Sequence, residues 1–547
     1  VRIVPLGGLG EIGLNLMVIE CAKRAIIIDA GVMFPEERTL GLGLLLPELR
    51  HLETGHLTIE GIVLTHAHED HIGALPYLLR RFPATVYGSD VTLAFARRTL
   101  VEDGCLGAAE LVAVEPGRRF ALGPFEIEPI RVTHSTPGAL ALAIRTPAGL
   151  IVHSGDFKID PAPLDGQLFD AARFAQLGEE GVELLLSDST NVERTGWSGS
   201  ESSLKPVLRD LIGRTKGKFF LTSFSSHLHR IRQLTEVARE TGRYVVPLGR
   251  RMAESVRLGM ELGQLSFPPG TYIERSEAEF IESRRLCFLA SGSQGEPLSA
   301  LAKLAMDAHP QVRVAPNDVV VLSSRFIPGN ERVINNVVNN LFKRGAEVVY
   351  DAIAPVHVSG HAFRDELVEM IRLTRPKYFV PIHGEYRHLS RHVALAMEAG
   401  VPKRNCLLLE DGDSLMMNGS GDIRRGHRVV AGRVAAEGDE FGDPELVRER
   451  RTLAHGGTVV AIVAISARTG KIVAGPELLS RGVVSGDGTS EYMMNAKAEL
   501  AGRVRMLNGT ARGNDTRLKQ EMVRTLRHYF NAASGKRPLI VPYVMEV

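Results

Sequence analysis

Short apolar runs separated by turn residues open the chain. Arg2–Leu6, Leu16–Glu20 and Ala25–Asp29 read as strands, the last two joined as a hairpin across Cys21–Arg24. Ile62–Thr65 predicts another strand, and Ile72–Arg81 and Asp90–Glu102 carry helical spacing. Strands are expected again around Phe125–Val132, Leu140–Thr146, Leu150–Ser154 and Glu183–Ser187. From about Ser200 the texture changes. Strands at Lys218–Thr222, Tyr244–Pro247 and Val319–Ser323 lie among helices such as Ser203–Arg214 and Arg230–Glu240. That alternation predicts a parallel, Rossmann-like sheet in a segment of roughly 145 residues. A histidine-bearing stretch, Val348–Leu409, then restores the first texture, so the second domain reads as inserted into the first. Asn418–Gly442, rich in Gly and Arg, reads as linker, Pro444–Ala454 as a charged helix, and the remainder as a small α+β domain with strands near Val459–Ile465. The expected boundaries are 1–200 and 348–415 for the split first domain, 201–347 for the insertion, 416–455 for the linker and 456–547 for the last domain.

Length and composition narrow this picture. At about 150 residues per domain, 547 residues suit three or four domains. A hydrophobic fraction of 44% with 24% charged residues excludes wholesale disorder. The net charge of +1 means that any grip on nucleic acid comes from a local patch. Apolar stretches such as Val459–Ile465 fall well short of the roughly 18 residues that span a bilayer, so no membrane partner is expected. The chain opens on a strand without a signal-peptide pattern, and without Met, so that the natural N-terminus is expected to precede Val1. Cys21, Cys105, Cys287 and Cys406 form no C-x-x-C pair, which points to a reducing, cytoplasmic setting rather than a disulfide framework or thiolate zinc site.

Two motifs invite a chemical reading. Gly8-Leu-Gly10-Glu-Ile-Gly13 has the outline of a dinucleotide fingerprint, but no amphipathic helix follows Gly13 to hold a pyrophosphate. It reads as a glycine turn between strands. Thr65-His66-Ala-His68-Glu-Asp70-His71 is the stronger signal, with three histidines and an aspartate directly after an apolar strand. Imidazole and carboxylate are natural ligands for zinc and similar ions. The spacing lets His66 and His68 turn towards one ion, while Asp70 and His71 reach a second. Further ligands would come from His134, Asp156 and His383, each at the expected end of a strand, where α/β folds build sites.

That ordered set resembles the metallo-β-lactamase superfamily, and the insertion resembles the β-CASP domain of its nucleic-acid-processing branch. Pro5–Gly13, Ser154-Gly-Asp-Phe-Lys-Ile-Asp160, Ser291-Gly-Ser-Gln-Gly-Glu-Pro297, Ile327-Pro-Gly-Asn-Glu331 and His357-Val-Ser-Gly-His361 are similar to the bacterial ribonuclease J family, across nearly the whole chain. The resemblance implies an αββα sandwich with an inserted β-CASP domain and a small C-terminal α+β domain. It implies His66, His68 and His134 on one metal, Asp70, His71 and His383 on the other, and Asp156 between them. Asp188, His361 and His383 would be the β-CASP signatures, the histidine at 383 being the form that goes with RNA-processing members. It also implies 5′-to-3′ exonuclease action preferring a 5′-monophosphate, endonuclease action, and a homodimer or homotetramer to which the C-terminal domain contributes. Two departures stand out: His227 replaces the usual Asn, and Ser154 stands where Thr is common.

Phosphodiester hydrolysis needs a nucleophile at neutral pH and relief of growing phosphate charge, which two divalent ions supply together. Zinc is the first candidate, with manganese or magnesium as alternatives. Asp156 would then position the attacking hydroxide, Asp70 would help to orient it, and His361 would contact the scissile phosphate and protonate the leaving oxygen. His357, Val358, Ser359 and Gly360 would complete a phosphate-holding loop, and Ser225, Ser226, Arg230 and Arg325 are candidate contacts to single-stranded RNA. The linker arginines Arg424, Arg425, Arg428 and Arg433 read as solvated. Rival readings are a hydrolase of small thioesters or lactams, which needs no large insertion over its site, and an RNA-binding scaffold with a dead centre, which would have lost a ligand.

Overall fold

The computed structural model describes residues 1–34, 44–268, 270–296, 298–326, 330–437, 440–441, 444–469, 471–483, 491–507 and 515–547. It divides into two compact units, Val1–Met33 with Leu45–Arg433, and Phe34–Leu44 with Val434–Val547.

In the first unit two sheets pack face to face. One has eight strands in the order Ile423–Arg425, Leu415–Met417, Arg2–Gly7, Leu16–Cys21, Arg24–Ile28, Thr58–Val63, Val86–Gly88 and Leu111–Ala113. The other has six: Tyr378–Ile382, Val182–Asp188, Gly149–His153, Leu140–Thr146, Phe125–Arg131 and Phe120–Leu122. Alternate side chains explain the pairing. Ile3, Ile19, Ile26 and Val63 from the first sheet meet Ile127, Leu142, Ile151, Leu184 and Val380 from the second in one buried cluster. The opposite face of the six-stranded sheet buries Ala141, Val152 and Leu185 under Phe174, Leu367 and Leu395 from three helices. These are the layers of an αββα sandwich.

Between its strands Val182–Asp188 and Tyr378–Ile382 the chain leaves to build a wholly parallel five-stranded sheet, ordered Tyr244–Leu248, Leu286–Ala290, Phe219–Thr222, Val319–Leu322 and Glu347–Val349. Its strands read as continuous buried runs, as expected for a parallel sheet covered on both faces. The second unit holds a three-stranded sheet in the order Ile472–Arg481, Thr458–Ile465 and Leu539–Glu546. Helices Glu491–Met506 and Asp515–Ser534 bury Leu500, Leu526 and Phe530 against Val459, Ala461 and Val463. No helix among the described residues is long and apolar enough to cross a membrane.

Two expectations need correction. The helix read over Ile72–Arg81 is two, Glu69–Ile72 and Leu75–Arg81, separated at Gly73, where a Cβ would stand 2.7 Å from the Val32 side chain. The stretch expected as linker from 416 is not free chain at its start. Ile423–Arg425 pairs with Leu415–Met417, which pairs with Arg2–Gly7, so the returning chain closes the edge of the eight-stranded sheet and the unit runs to Arg433. Three-residue strands carry too little periodicity to be read. The arginines of this stretch are exposed, as expected, with Arg425 3.3 Å from Asp413 and Arg428 3.4 Å from Glu410 at the surface. Residues 297 and 327–329, part of two motifs quoted above, lie outside the described residues.

Candidate metal centre

Strands Gly149–His153, Val182–Asp188 and Tyr378–Ile382 run parallel, so their C-terminal ends deliver Asp156, Asp188 and His383 to one side of the sheet. His134 follows Phe125–Arg131, and His66 and His68 follow Thr58–Val63. The short helix Glu69–Ile72 begins at His68 and turns Asp70 and His71 inward. Three groups result, in each of which one ligand atom per residue lies within 4.8 Å of the others: His66, His68, His134 and Asp156; Asp70, His71 and His383; and Asp156, Asp188, His361 and His383. All seven residues expected as metal ligands are therefore brought together, with Asp156 beside both sets.

Hydrogen bonds at the back of the imidazoles define what faces forward. Thr65 Oγ1 donates to Asp29 Oδ2 at 2.8 Å and so accepts from His66 Nδ1 at 3.0 Å, leaving the His66 Nε2 lone pair free. His134 Nδ1 donates to the Gly360 carbonyl at 2.6 Å, which frees its Nε2 in the same way. Both Nε2 atoms point at His68 Nδ1, at 3.0 and 3.1 Å, while His68 Nε2 meets Ser135 Oγ at 3.1 Å. With Nε2 donating to Ser135, three lone pairs converge without a proton between them, a donor set suited to a divalent cation. In the other group His71 Nδ1 donates to Asp29 Oδ2 at 2.7 Å. His383 Nε2 is buried without a hydrogen-bond partner, 3.4 Å from Asp70 Oδ2. That orphan nitrogen fits an absent ligand.

The charges divide accordingly. Burial, reinforced by neighbouring histidines, pushes His66 and His134 well below the ordinary imidazole range and His68 to about 4, so all three are neutral at pH 7. Burial opposes protonation of His71 and His383 too, but the facing carboxylates win: Asp156, Asp29 and Asp70 raise His71, and Asp156 and Asp70 lift His383 to about 10. His361 is likewise raised, against burial, by Asp188 and Asp156. Burial would raise Asp156 and Asp70, yet His383 and His71 hold both well below the carboxylate range. The facing acids thus favour the protonated forms of His71, His361 and His383.

Several positioning residues were not singled out as part of the site. Asp29, read only as the end of a strand, holds His71 and accepts from the Thr65 backbone at 2.7 Å. Asn15, just beyond the glycine turn, lies 3.0 Å from His71 Nε2 and donates to the Asp70 carbonyl at 3.1 Å. Asp29 and His383 both adopt positive φ, 62° and 51°, strain that clusters where function requires a fixed side chain. A Cβ on Gly31 would stand 1.6 Å from the Asp70 carbonyl, so only glycine permits that approach. Sequence patterns give no signal for such pairings across dozens of residues.

The expected RNA contacts divide. His361 Nδ1 lies 2.8 Å from Asp188 Oδ2, and Asp188 Oδ1 accepts from Thr190. Ser359 Oγ accepts from the His361 backbone and from Asn191, which also accepts from the exposed Arg325 at 2.8 Å. Asn191 was likewise unforeseen. Val358, Ser225 and Ser226 are part-exposed, and Gly360 packs its backbone on His134, 2.9 Å from where a Cβ would sit. Burial, then the Arg230 charge, hold His357 near 3, so it carries no charge. Arg230 is a correction. It has no exposed surface, and its guanidinium donates to Glu201 at 3.0 Å, to the Ser323 carbonyl at 2.8 Å and to the Val356 carbonyl. Glu201 claims the charge that RNA was expected to meet, because burying a guanidinium requires an anionic partner.

Family models match consecutive parts of the chain: the metallo-β-lactamase superfamily over residues 10–182, the ribonuclease J β-CASP domain over 216–341, a Zn-dependent metallo-hydrolase RNA specificity domain over 345–406 and the ribonuclease J C-terminal domain over 445–547. The chain is 38% identical to ribonuclease J of Thermus thermophilus over 562 aligned residues, covering all of this chain and 95% of that one. It is 36% identical to the Helicobacter pylori enzyme, covering 99% of this chain and 79% of that one, and 34% identical to ribonuclease J 1 of Streptococcus pyogenes, covering 100% and 97%. A crystal structure of an Enterococcus faecalis protein of unknown function shares the fold, with a TM-score of 0.52 at 18% identity over 76% of this chain and 99% of that one. Identity above one third, sustained from end to end and joined to a histidine–aspartate cluster suited to divalent cations, makes this chain a member of the ribonuclease J family and a metal-dependent ribonuclease.

Proposed function

We propose that the chain degrades single-stranded RNA from its 5′ end, preferring a 5′-monophosphate, and also cuts internally, with two divalent ions, zinc first and manganese or magnesium next. The observation that carries this reading is the pair of ligand groups with Asp156 beside both. His66, His68, His134 and Asp156 would hold one ion, and Asp70, His71, His383 and Asp156 the other. When bound, such ions acidify a water and offset charge on the phosphate. Asp70 and Asp156 stay ionised, so they accept the water's hydrogen bonds and fix its direction. His361, held through Nδ1 by Asp188, which favours its protonated form, would offer Nε2–H to the leaving 3′-oxygen. Val358, Ser359 and Gly360 precede it in the same loop, and the part-exposed Ser225 and Ser226 would add hydroxyls to a phosphate.

The β-CASP domain favours RNA over a small thioester or lactam, which would need no second domain. The reading extends to mRNA decay and RNA processing in the cytoplasm, where four free thiols stay reduced. The chain would act as a homodimer or homotetramer through its C-terminal domain. There the sheet face away from the helices aligns Leu479, Val460 and Val541 across three strands, with Leu479 60% exposed. RNA labelled at its 5′ end, with a monophosphate or a triphosphate, tests the reading. Immediate release of labelled mononucleotide, faster from the monophosphate, is expected alongside shorter labelled fragments. Release of fragments alone, equal from both RNAs, would remove the exonuclease part.

A further inference from the structure

Ring contacts around the metal cluster join histidine to histidine, with one difference. His68 also faces Phe224, its ring centroid 6.4 Å away and the planes inclined at 49°. Phe224 is 36% exposed, on the turn that carries Ser225 and Ser226. An exposed phenyl ring is ordinary on a protein surface. Next to a metal-ligand histidine it is a ready apolar face within reach of whatever the centre binds.

The ring is held on a stiff mount. Ser223 is buried and its N–H donates to Ala290, while the Phe224 carbonyl accepts from His227 at 3.1 Å. His227 Nε2 lies 3.3 Å from Glu201, and Arg230, one turn further along the helix, is fixed by the same carboxylate. The buried arginine thus anchors the turn that presents Phe224. A preset aromatic face loses little entropy when it is covered.

We propose that Phe224 is a stacking platform for the nucleobase adjacent to the scissile phosphate, and through it a determinant of single-strand specificity. This rests on the reading of the cluster as a ribonuclease centre. A phosphate held at the cluster places its own base one sugar away, at the distance where a ring beside His68 can meet it. Unpaired bases offer a free π-face to aromatic side chains, whereas bases in a duplex are already stacked on both faces. Phe224 therefore rewards a splayed strand, whatever its sequence.

The test uses the full chain and 5′-monophosphorylated single-stranded oligoribonucleotides, either intact or with one abasic nucleotide at the first, second or third position. For the intact strand, Phe224→Ala is expected to lower kcat/KM roughly 5- to 150-fold, the span of one base–aromatic stack, chiefly through KM. Phe224→Leu should fall similarly, and Phe224→Tyr and Phe224→Trp should retain cleavage. At one abasic position wild type and Phe224→Ala should converge, because both have lost the same contact. Equal losses for Phe224→Ala on intact and on every abasic strand would overturn the proposal in favour of a structural role, as would an unchanged Phe224→Ala. A wild type that cleaves no RNA would instead fail the ribonuclease reading on which the proposal stands.

Discussion

At the scale of single residues the site is a contest between burial and charge. Burial alone would keep every histidine neutral, and it does so for His66, His68 and His134. His71 and His383 escape because carboxylates face them. A divalent cation replaces those protons, so metal binding at pH 7.5 should release protons to the buffer. Calorimetry in buffers of different ionisation enthalpy would show it, and a binding enthalpy independent of buffer would contradict the assignment. Asp156→Ala or His68→Ala should lower hydrolysis about a thousandfold or more while melting behaviour is kept. Activity surviving in either variant would remove the two-ion account. Asp29 touches no proposed ion but holds His71, so Asp29→Asn should weaken metal affinity by about 10- to 100-fold, read by competition with a chelating dye. Unchanged affinity would mean that His71 needs no such holder.

At the scale of elements, what the sequence shows depends on how local the signal is. Strands such as Phe125–Arg131 and Leu140–Thr146 are marked by apolar runs, and the first leads into a visible ligand, so the sandwich and His134 could be read together. The H-x-H-x-D-H string could be read because its spacing carries the chemistry. Asn15, Asp29 and Asn191 could not, since each acts on a partner dozens or hundreds of residues away. Arg230 misled for the same reason: a motif arginine looks like a phosphate contact until Glu201 appears beside it. That pair permits a prediction. Arg230→Met takes the guanidinium away from buried Glu201, which keeps His227 and Gln233 beside it, and should cost about 3–5 kcal/mol, whereas Arg230→Met with Glu201→Met should be much milder. Denaturation midpoints would check it. A single variant as stable as wild type would mean that the charges do not depend on each other.

At the scale of the whole first unit, its first and last segments meet. Asp411 accepts from the Leu9 backbone at 3.1 Å, and Glu11 is paired with Arg433 at 2.5 Å. Burial, then the Glu11 charge, push Asp411 up to about 8 in the fold. Unfolded, it titrates near its ordinary value of about 4. The folded state therefore binds this proton more tightly. Stability from this source is full below about pH 4 and drains as pH rises to about 8. Asp411→Asn keeps the shape without the charge, so its melting temperature should gain on wild type between pH 5 and pH 8.5. A constant difference over that range would show that Asp411 is ionised throughout.

The most direct test of the central claim joins metal content to RNA cleavage in one titration. Protein stripped with chelator is returned to zinc or manganese while bound metal and release of 5′-labelled nucleotide from single-stranded RNA are followed together. The account predicts no cleavage in the stripped protein and recovery that completes as two ions per chain are bound. Undiminished cleavage by the stripped protein would contradict it.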